Sequence, residues 1–182
     1  MAVHKAKQGT FDGPFIRLAK WLLARGVHPN HFTFAQVPVF ALEIWAAQQG
    51  HAWIFVSSIL LVIALDGGDG ILARTGNLAS RKGAILDSTF DTMGIAIIMW
   101  GAAQFFPAAE AWFLWLFVGN SLIYLQNALL EEKMVSYIRG PTLVAIAWPN
   151  FLVGALLASS FVVIWIFGMR LPRTLKSLAE LD

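Results

Sequence analysis

Long apolar runs, interrupted at a few short polar joints, set the layout of this chain. Stretches near residues 31–49, 52–72, 84–106 and 109–130 each approach or exceed the roughly 20 residues a helix needs to cross a bilayer core. A further apolar region over 134–171 is broken at Pro149-Asn150 and divides into two shorter spans, 134–148 and 151–169. One long helix plus a loop is the other arrangement this last region allows. Ahead of the spans, Phe11, Phe15, Ile16, Ala19, Leu22 and Leu23 recur at helical spacing, with Arg17 on the polar side and Lys20 and Arg25 among or after them. That pattern predicts an amphipathic helix lying on the membrane surface. The pattern as a whole predicts an all-α integral membrane protein: a single domain over 1–182, with a juxtamembrane segment over 1–27 and a six-helix transmembrane bundle over 28–171.

Composition sharpens this. Of 182 residues, 58% are hydrophobic and only 13% charged, and the mean hydropathy is +0.65. A soluble domain carries about 25% charged residues. The chain has no cysteine, which excludes disulfides and thiol chemistry. The N-terminal stretch has no uninterrupted apolar core followed by a cleavage site, so it does not read as a cleaved signal peptide.

The 13 Lys and Arg residues fall in five places: 5–25, 74–82, Lys133, Arg139 and 170–176. The joints near 48–51, 107–110 and 149–150 contain none. With six spans and both termini inside, every basic residue is cytoplasmic, as the positive-inside rule requires. Five spans would put Arg170, Arg173 and Lys176 on the opposite side. The expected location is the cell membrane, the inner or cytoplasmic one, with both termini and the site facing the cytosol.

Four aspartates then stand out, because they lie within two of the apolar segments. A carboxylate at membrane depth costs about 2.5–3.5 kcal/mol on insertion scales and marks a functional site by default. Asp66 and Asp69 are spaced i, i+3, and Asp87 and Asp91 i, i+4, so each pair shares a helix face. Four carboxylates converging at low dielectric repel one another, and one or two divalent cations with hard oxygen ligands are the remedy. Asp66, Asp69, Gly70 and Ala73 form one helical stripe; Gly83, Asp87 and Asp91 form another. The small residues let a bulky ligand approach the backbone, and Arg74 adds a cation suited to phosphate. The combination suits a nucleotide diphosphate on a divalent metal.

These residues carry a resemblance. Asp66-x-x-Asp69-Gly70-x-x-Ala73-Arg74, residues 75–82, then Gly83-x-x-x-Asp87-x-x-x-Asp91 resembles the signature of the CDP-alcohol phosphotransferases at all eight positions. The segment His28–Phe34, with its Pro-Asn and Thr33, is similar to the entrance of the family's first span. The resemblance implies a six-helix membrane enzyme that transfers a substituted phosphate from a CDP-linked donor to an alcohol and releases CMP. It implies that Asp66, Asp69 and Asp87 ligate one or two Mg2+ or Mn2+ ions, with Asp91 completing the site and acting as general base. Asp66, Asp69, Gly70, Ala73, Arg74 and Gly83 would hold the CDP moiety. Implied partners are a CDP-linked lipid donor, a small alcohol acceptor, membrane lipids and a second copy of the chain, with no nucleic-acid polymer.

Two acceptors remain open. Gly83–Asp91 resembles the corresponding helix entrance of phosphatidylinositol-phosphate and archaetidylinositol-phosphate synthases, while Glu132–Arg139 resembles glycerol-phosphate enzymes. Lys133 and Arg139, with Arg81 and Lys82 in the neighbouring connection, form a cationic patch suited to a phosphorylated acceptor; topology alone accounts for them nearly as well. Two other functions compete: a choline- or ethanolamine-type transfer from a soluble CDP-alcohol to a lipid, and an ion transporter with a buried carboxylate site. The transporter leaves Arg74 and the small-residue stripes unexplained. Glu43 is expected in the bundle interior or at the outer interface. His4, His28, His31 and His51 lack ligand spacing and read as interface residues, and the eight Trp as interfacial belts and packing.

Overall fold

The computed structural model describes residues 13–130 and 139–179. Their regular structure is helical: α1 Gly13–Ala24, α2 Pro29–Gln48, α3 Ala52–Thr75, α4 Arg81–Phe105, α5 Glu110–Leu129, α6 Arg139–Ala147 and α7 Leu152–Ala179. The joints follow from local chemistry. After α1, Val27 N–H donates to the Leu22 carbonyl and Gly26 N–H to the Leu23 carbonyl, with Gly26 at φ +78°. After α2, His51 bonds back to Ala46 and Gly50 to Ala47, with Gly50 at φ +70°. Both are the paired back-bonds that close a helix through one left-handed residue, a position glycine takes without strain. After α3 the same closure uses Asn77 at φ +53°: Leu78 N–H reaches Ala73 at 2.9 Å and Asn77 N–H reaches Arg74 at 3.4 Å. Phe106 and Trp148 each precede a proline, which disfavours helical backbone at the residue before it. A 3-10 turn follows each, Pro107–Ala109 and Pro149–Phe151.

Among the described residues, three helical stretches are long and apolar enough to cross a membrane: Ala52–Thr75, Pro107–Gln126 and Pro149–Ala179. Helix α4 is 25 residues long but carries Arg81, Lys82, Asp87 and Asp91 in its first half. Helix α6 covers nine residues, Arg139–Ala147; the part of the expected 134–148 span before Arg139 lies outside the described residues.

The chain divides into two compact units, and α2, α3 and α4 each contribute to both. The first takes residues up to Val39 together with Leu60–Phe90; the second takes Phe40–Ile59 and residues from Asp91 onward.

In the first unit, α1 turns Ala19 inward and, with Phe15, Leu18 and Leu22, lines a small apolar cleft shared with Phe32, Gly68, Ile71 and Leu72. The exposed apolar side chains of α1 are Phe15, Leu18 and Trp21, and the Arg25 guanidinium stacks over Trp21 at 3.5 Å. The apolar stripe read from the sequence is therefore divided: Ala19 faces protein, and an offset set is left outward. Helices α2 and α3 approach closely here. A methyl group on Gly68 would fall 2.8 Å from the Phe32 ring.

In the second unit, Phe55 is fully buried, and a side chain at Gly101 would collide with its ring. Gly119 of α5 likewise faces Val163 of α7, where a methyl group on the glycine would fall 2.5 Å from Val163. Glu43 is fully buried, the inward one of its two expected positions.

Candidate active site

The end of α3 and the start of α4 build the site, and the closure at Asn77 joins them. Ser80 caps the incoming helix: its Oγ accepts the Gly83 N–H at 3.0 Å, satisfying one of the donors left over at a helix start. The capped turn fixes where Asp87 emerges, two turns after Ser80.

Asp66, Asp69 and Asp87 converge. One carboxylate oxygen from each lies within 4.8 Å of the others. Asp69 is buried, and Asp66 and Asp87 are half-buried. At that separation each pair of unit charges repels by about 3–4 kcal/mol at an effective dielectric of 20. Three hard oxygen donors at mutual distances that one ion can bridge are the donor set of Mg2+, Mn2+ or Ca2+. The residues therefore fit the divalent cation that the sequence suggests.

Beside the acids lies a cavity of about 230 Å³ lined by Thr33, Asp69, Gly70, Ala73, Arg74, Ser80, Gly83 and Asp87 among others. A water molecule occupies about 30 Å³ of liquid, so the space takes a ligand and not only an ion. Of the residues expected to hold the nucleotide, Asp69, Gly70, Ala73, Arg74 and Gly83 line it, and Asp66 is not among the lining residues. Arg74 folds back along its own helix, so that a methyl group on Gly70 would sit 3.2 Å from its Nη1 atom.

Pro29 and Asn30 supply a further wall. Two histidines order the entry to α2: His28 Nδ1 accepts the Asn30 N–H at 3.3 Å, and His31 Nδ1 accepts the His28 N–H at 3.2 Å. These histidines, expected at the interface from the sequence, cap a helix that lines the cavity.

Asp91, four residues beyond Asp87, falls in the second unit. There the Tyr124 hydroxyl donates to its Oδ2 at 3.2 Å, and Tyr124 is buried. Lys133 lies outside the described residues, and Arg139 opens α6 with its side chain likewise outside them. Arg81 and Lys82 form the first turn of α4.

Three contributors were not assigned from sequence. Ser80 was recoverable, since a serine three residues before Gly83 is a helix-start signal. Thr33 was noted only as part of a similar segment. Tyr124 sits in an apolar run with nothing local to distinguish it.

An all-helical chain with long apolar helices, a carboxylate triad and an adjoining cavity with a guanidinium defines an integral membrane protein whose site suits a cation and an anionic ligand. Residues 26–172 match the family described as CDP-alcohol phosphatidyltransferase, and the chain belongs to that family. It is similar to the CDP-diacylglycerol–inositol 3-phosphatidyltransferase of Drosophila melanogaster, 29% identical over 108 residues, covering 52% of this chain and 46% of the relative. It is also similar to the archaetidylinositol phosphate synthase of Pyrococcus horikoshii, 36% identical over 94 residues, covering 50% of this chain and 48% of the relative. The chain thus spans about half the length of the curated relatives it matches.

Proposed function

We propose that this protein transfers a phosphatidyl-type group from a CDP-linked lipid, CDP-diacylglycerol or its archaeal equivalent, to a phosphorylated polyol, and releases CMP. The observation that carries the reading is the convergence of Asp66, Asp69 and Asp87 beside a cavity lined by Gly70, Ala73, Arg74 and Gly83. Membership of the family and the inositol-linked names of two relatives support it. The full reading has six spans with α1 at the cytoplasmic surface, so that the triad opens toward soluble acceptor.

In the transfer, the acceptor hydroxyl oxygen bonds to the lipid-bearing phosphorus, and the bond from that phosphorus to the CMP oxygen breaks. Asp91 takes the proton of the acceptor hydroxyl, which a positioned carboxylate can do at contact distance. Tyr124 holds one Asp91 oxygen and so positions the carboxylate for this role. Arg74 binds the donor phosphates, and Gly70 and Ala73 leave the backbone open to the nucleotide. A divalent ion held by Asp66, Asp69 and Asp87 supplies charge neutralisation for the pyrophosphate and the departing CMP. Such transfers depend mostly on positioning and electrostatics. Lys133, Arg139, Arg81 and Lys82 are proposed to hold the acceptor phosphate.

The test is CMP release by the purified protein with CDP-diacylglycerol and, in parallel, inositol phosphate, glycerol phosphate and serine. Turnover with a phosphorylated acceptor, and a raised acceptor KM in Arg139→Ala, is expected. Turnover with serine alone would overturn the acceptor class.

A further inference from the structure

Thr33 lies on α2, in the wall of the cavity. Its hydroxyl donates to Asp69 Oδ2 at 2.8 Å, across 36 residues of sequence. Thr33 is 4% exposed and Asp69 7% exposed, so the bond is shielded from water. Helical hydroxyls ordinarily turn back to a carbonyl one turn earlier. Ser58, Thr89, Ser121, Ser159 and Thr174 all do so, at 2.7–3.0 Å. Thr33 instead directs its donor at a carboxylate on another helix.

The consequence is geometric. An ionised carboxylate accepts at two oxygens with about four lone-pair sites. One strong bond to Oδ2 limits rotation of the group, and so constrains how Asp69 presents its carboxylate beside Asp66 and Asp87. Removing a group that holds a ligating carboxylate in this way costs about 10–100-fold in metal affinity or activity. We infer that Thr33 is a positioning residue that presets Asp69 for a divalent cation. The inference rests on reading the triad as a cation site. A merely structural bond pinning α2 to α3 predicts something different: a change in thermal stability with no change in cation affinity.

The experiment is a Mn2+ titration followed by electron paramagnetic resonance, on the full chain in lipid nanodiscs without nucleotide. Wild type, Thr33→Val, Thr33→Ser and Asp69→Asn are compared, with Thr33→Ala carried in parallel in case the valine variant does not assemble. Thr33→Val should raise the Mn2+ Kd by about tenfold or more, while Thr33→Ser, which keeps the hydroxyl, should stay close to wild type. An unchanged Kd in both Thr33→Val and Thr33→Ala, or a serine variant as weak as valine, overturns the positioning role while the cation site stands. Failure of wild type to bind Mn2+, or equal binding by Asp69→Asn, overturns the cation site and the inference with it.

Discussion

The Tyr124 hydroxyl donates to Asp91 Oδ2 at 3.2 Å, joining the middle of α4 to the fifth helix within the second unit. A hydrogen bond to an ionised group contributes about 1.5–3 kcal/mol. Tyr124→Phe removes the donor and keeps the ring. With Asp91 as the base, kcat should fall about tenfold, since each 1.36 kcal/mol of barrier is one decade, while donor KM stays within about twofold. Steady-state kinetics separates the two; a change in donor KM alone would place Tyr124 in nucleotide binding.

Asp91→Asn keeps the shape of the side chain and removes its capacity to accept a proton. General-base catalysis contributes about 10²–10⁴-fold, so turnover should fall by at least the lower figure with CDP binding retained. Asp66→Asn should instead weaken Mn2+ and nucleotide binding. Calorimetric titration of CDP into each variant distinguishes them, and near-normal rates in Asp91→Asn would remove the base assignment.

Gly70 tests the cavity sterically. A methyl group there would sit 3.2 Å from the Nη1 of Arg74, which is the end of a flexible side chain and can shift. Gly70→Ala should therefore raise donor KM only a few-fold, and Gly70→Leu should block the donor. Neither change alters charge at the site. Unchanged donor affinity in Gly70→Leu would show that the cavity is not where the nucleotide sits.

Gly67 and Gly68 are neighbours in sequence and opposites in structure. A side chain on Gly67 meets nothing within 4 Å, whereas one on Gly68 would fall 2.8 Å from the Phe32 ring. Gly67→Ala should raise the apparent Tm slightly, because alanine gains about 0.5–1 kcal/mol over glycine in a helix. Gly68→Val should lower it by several degrees, since forcing extra atoms into a packed site costs about 1–3 kcal/mol. Thermal unfolding followed by intrinsic tryptophan fluorescence reads both.

Much of this was legible in the chain. Gly26, Gly50, Pro107 and Pro149 punctuate the apolar runs, and each marks a helix boundary. The spacing of Asp66 and Asp69 put both on one face of α3; of the two α4 acids expected to join them, Asp87 lies in the group and Asp91 does not. Pairings between distant helices were not legible. Nothing local marks Thr33 as the partner of Asp69, or Tyr124 as the partner of Asp91, because periodicity reports a face and not the neighbour it meets. The helical spacing of α1 was legible, but a helix apolar on more than one side does not announce which side meets protein. The equivalence of Gly67 and Gly68 was broken only by the approach of Phe32.

The central claim is that a divalent cation on Asp66, Asp69 and Asp87 is needed to transfer a group from a CDP-lipid. Its most direct test is CMP release from CDP-diacylglycerol and inositol phosphate by the purified chain in nanodiscs, first stripped with chelator and then titrated with Mn2+ or Mg2+. The account predicts no turnover in chelator, recovery on adding metal, and no recovery at the same metal concentrations in Asp69→Asn. Full turnover in excess chelator, or normal metal-dependent turnover in Asp69→Asn, would contradict it.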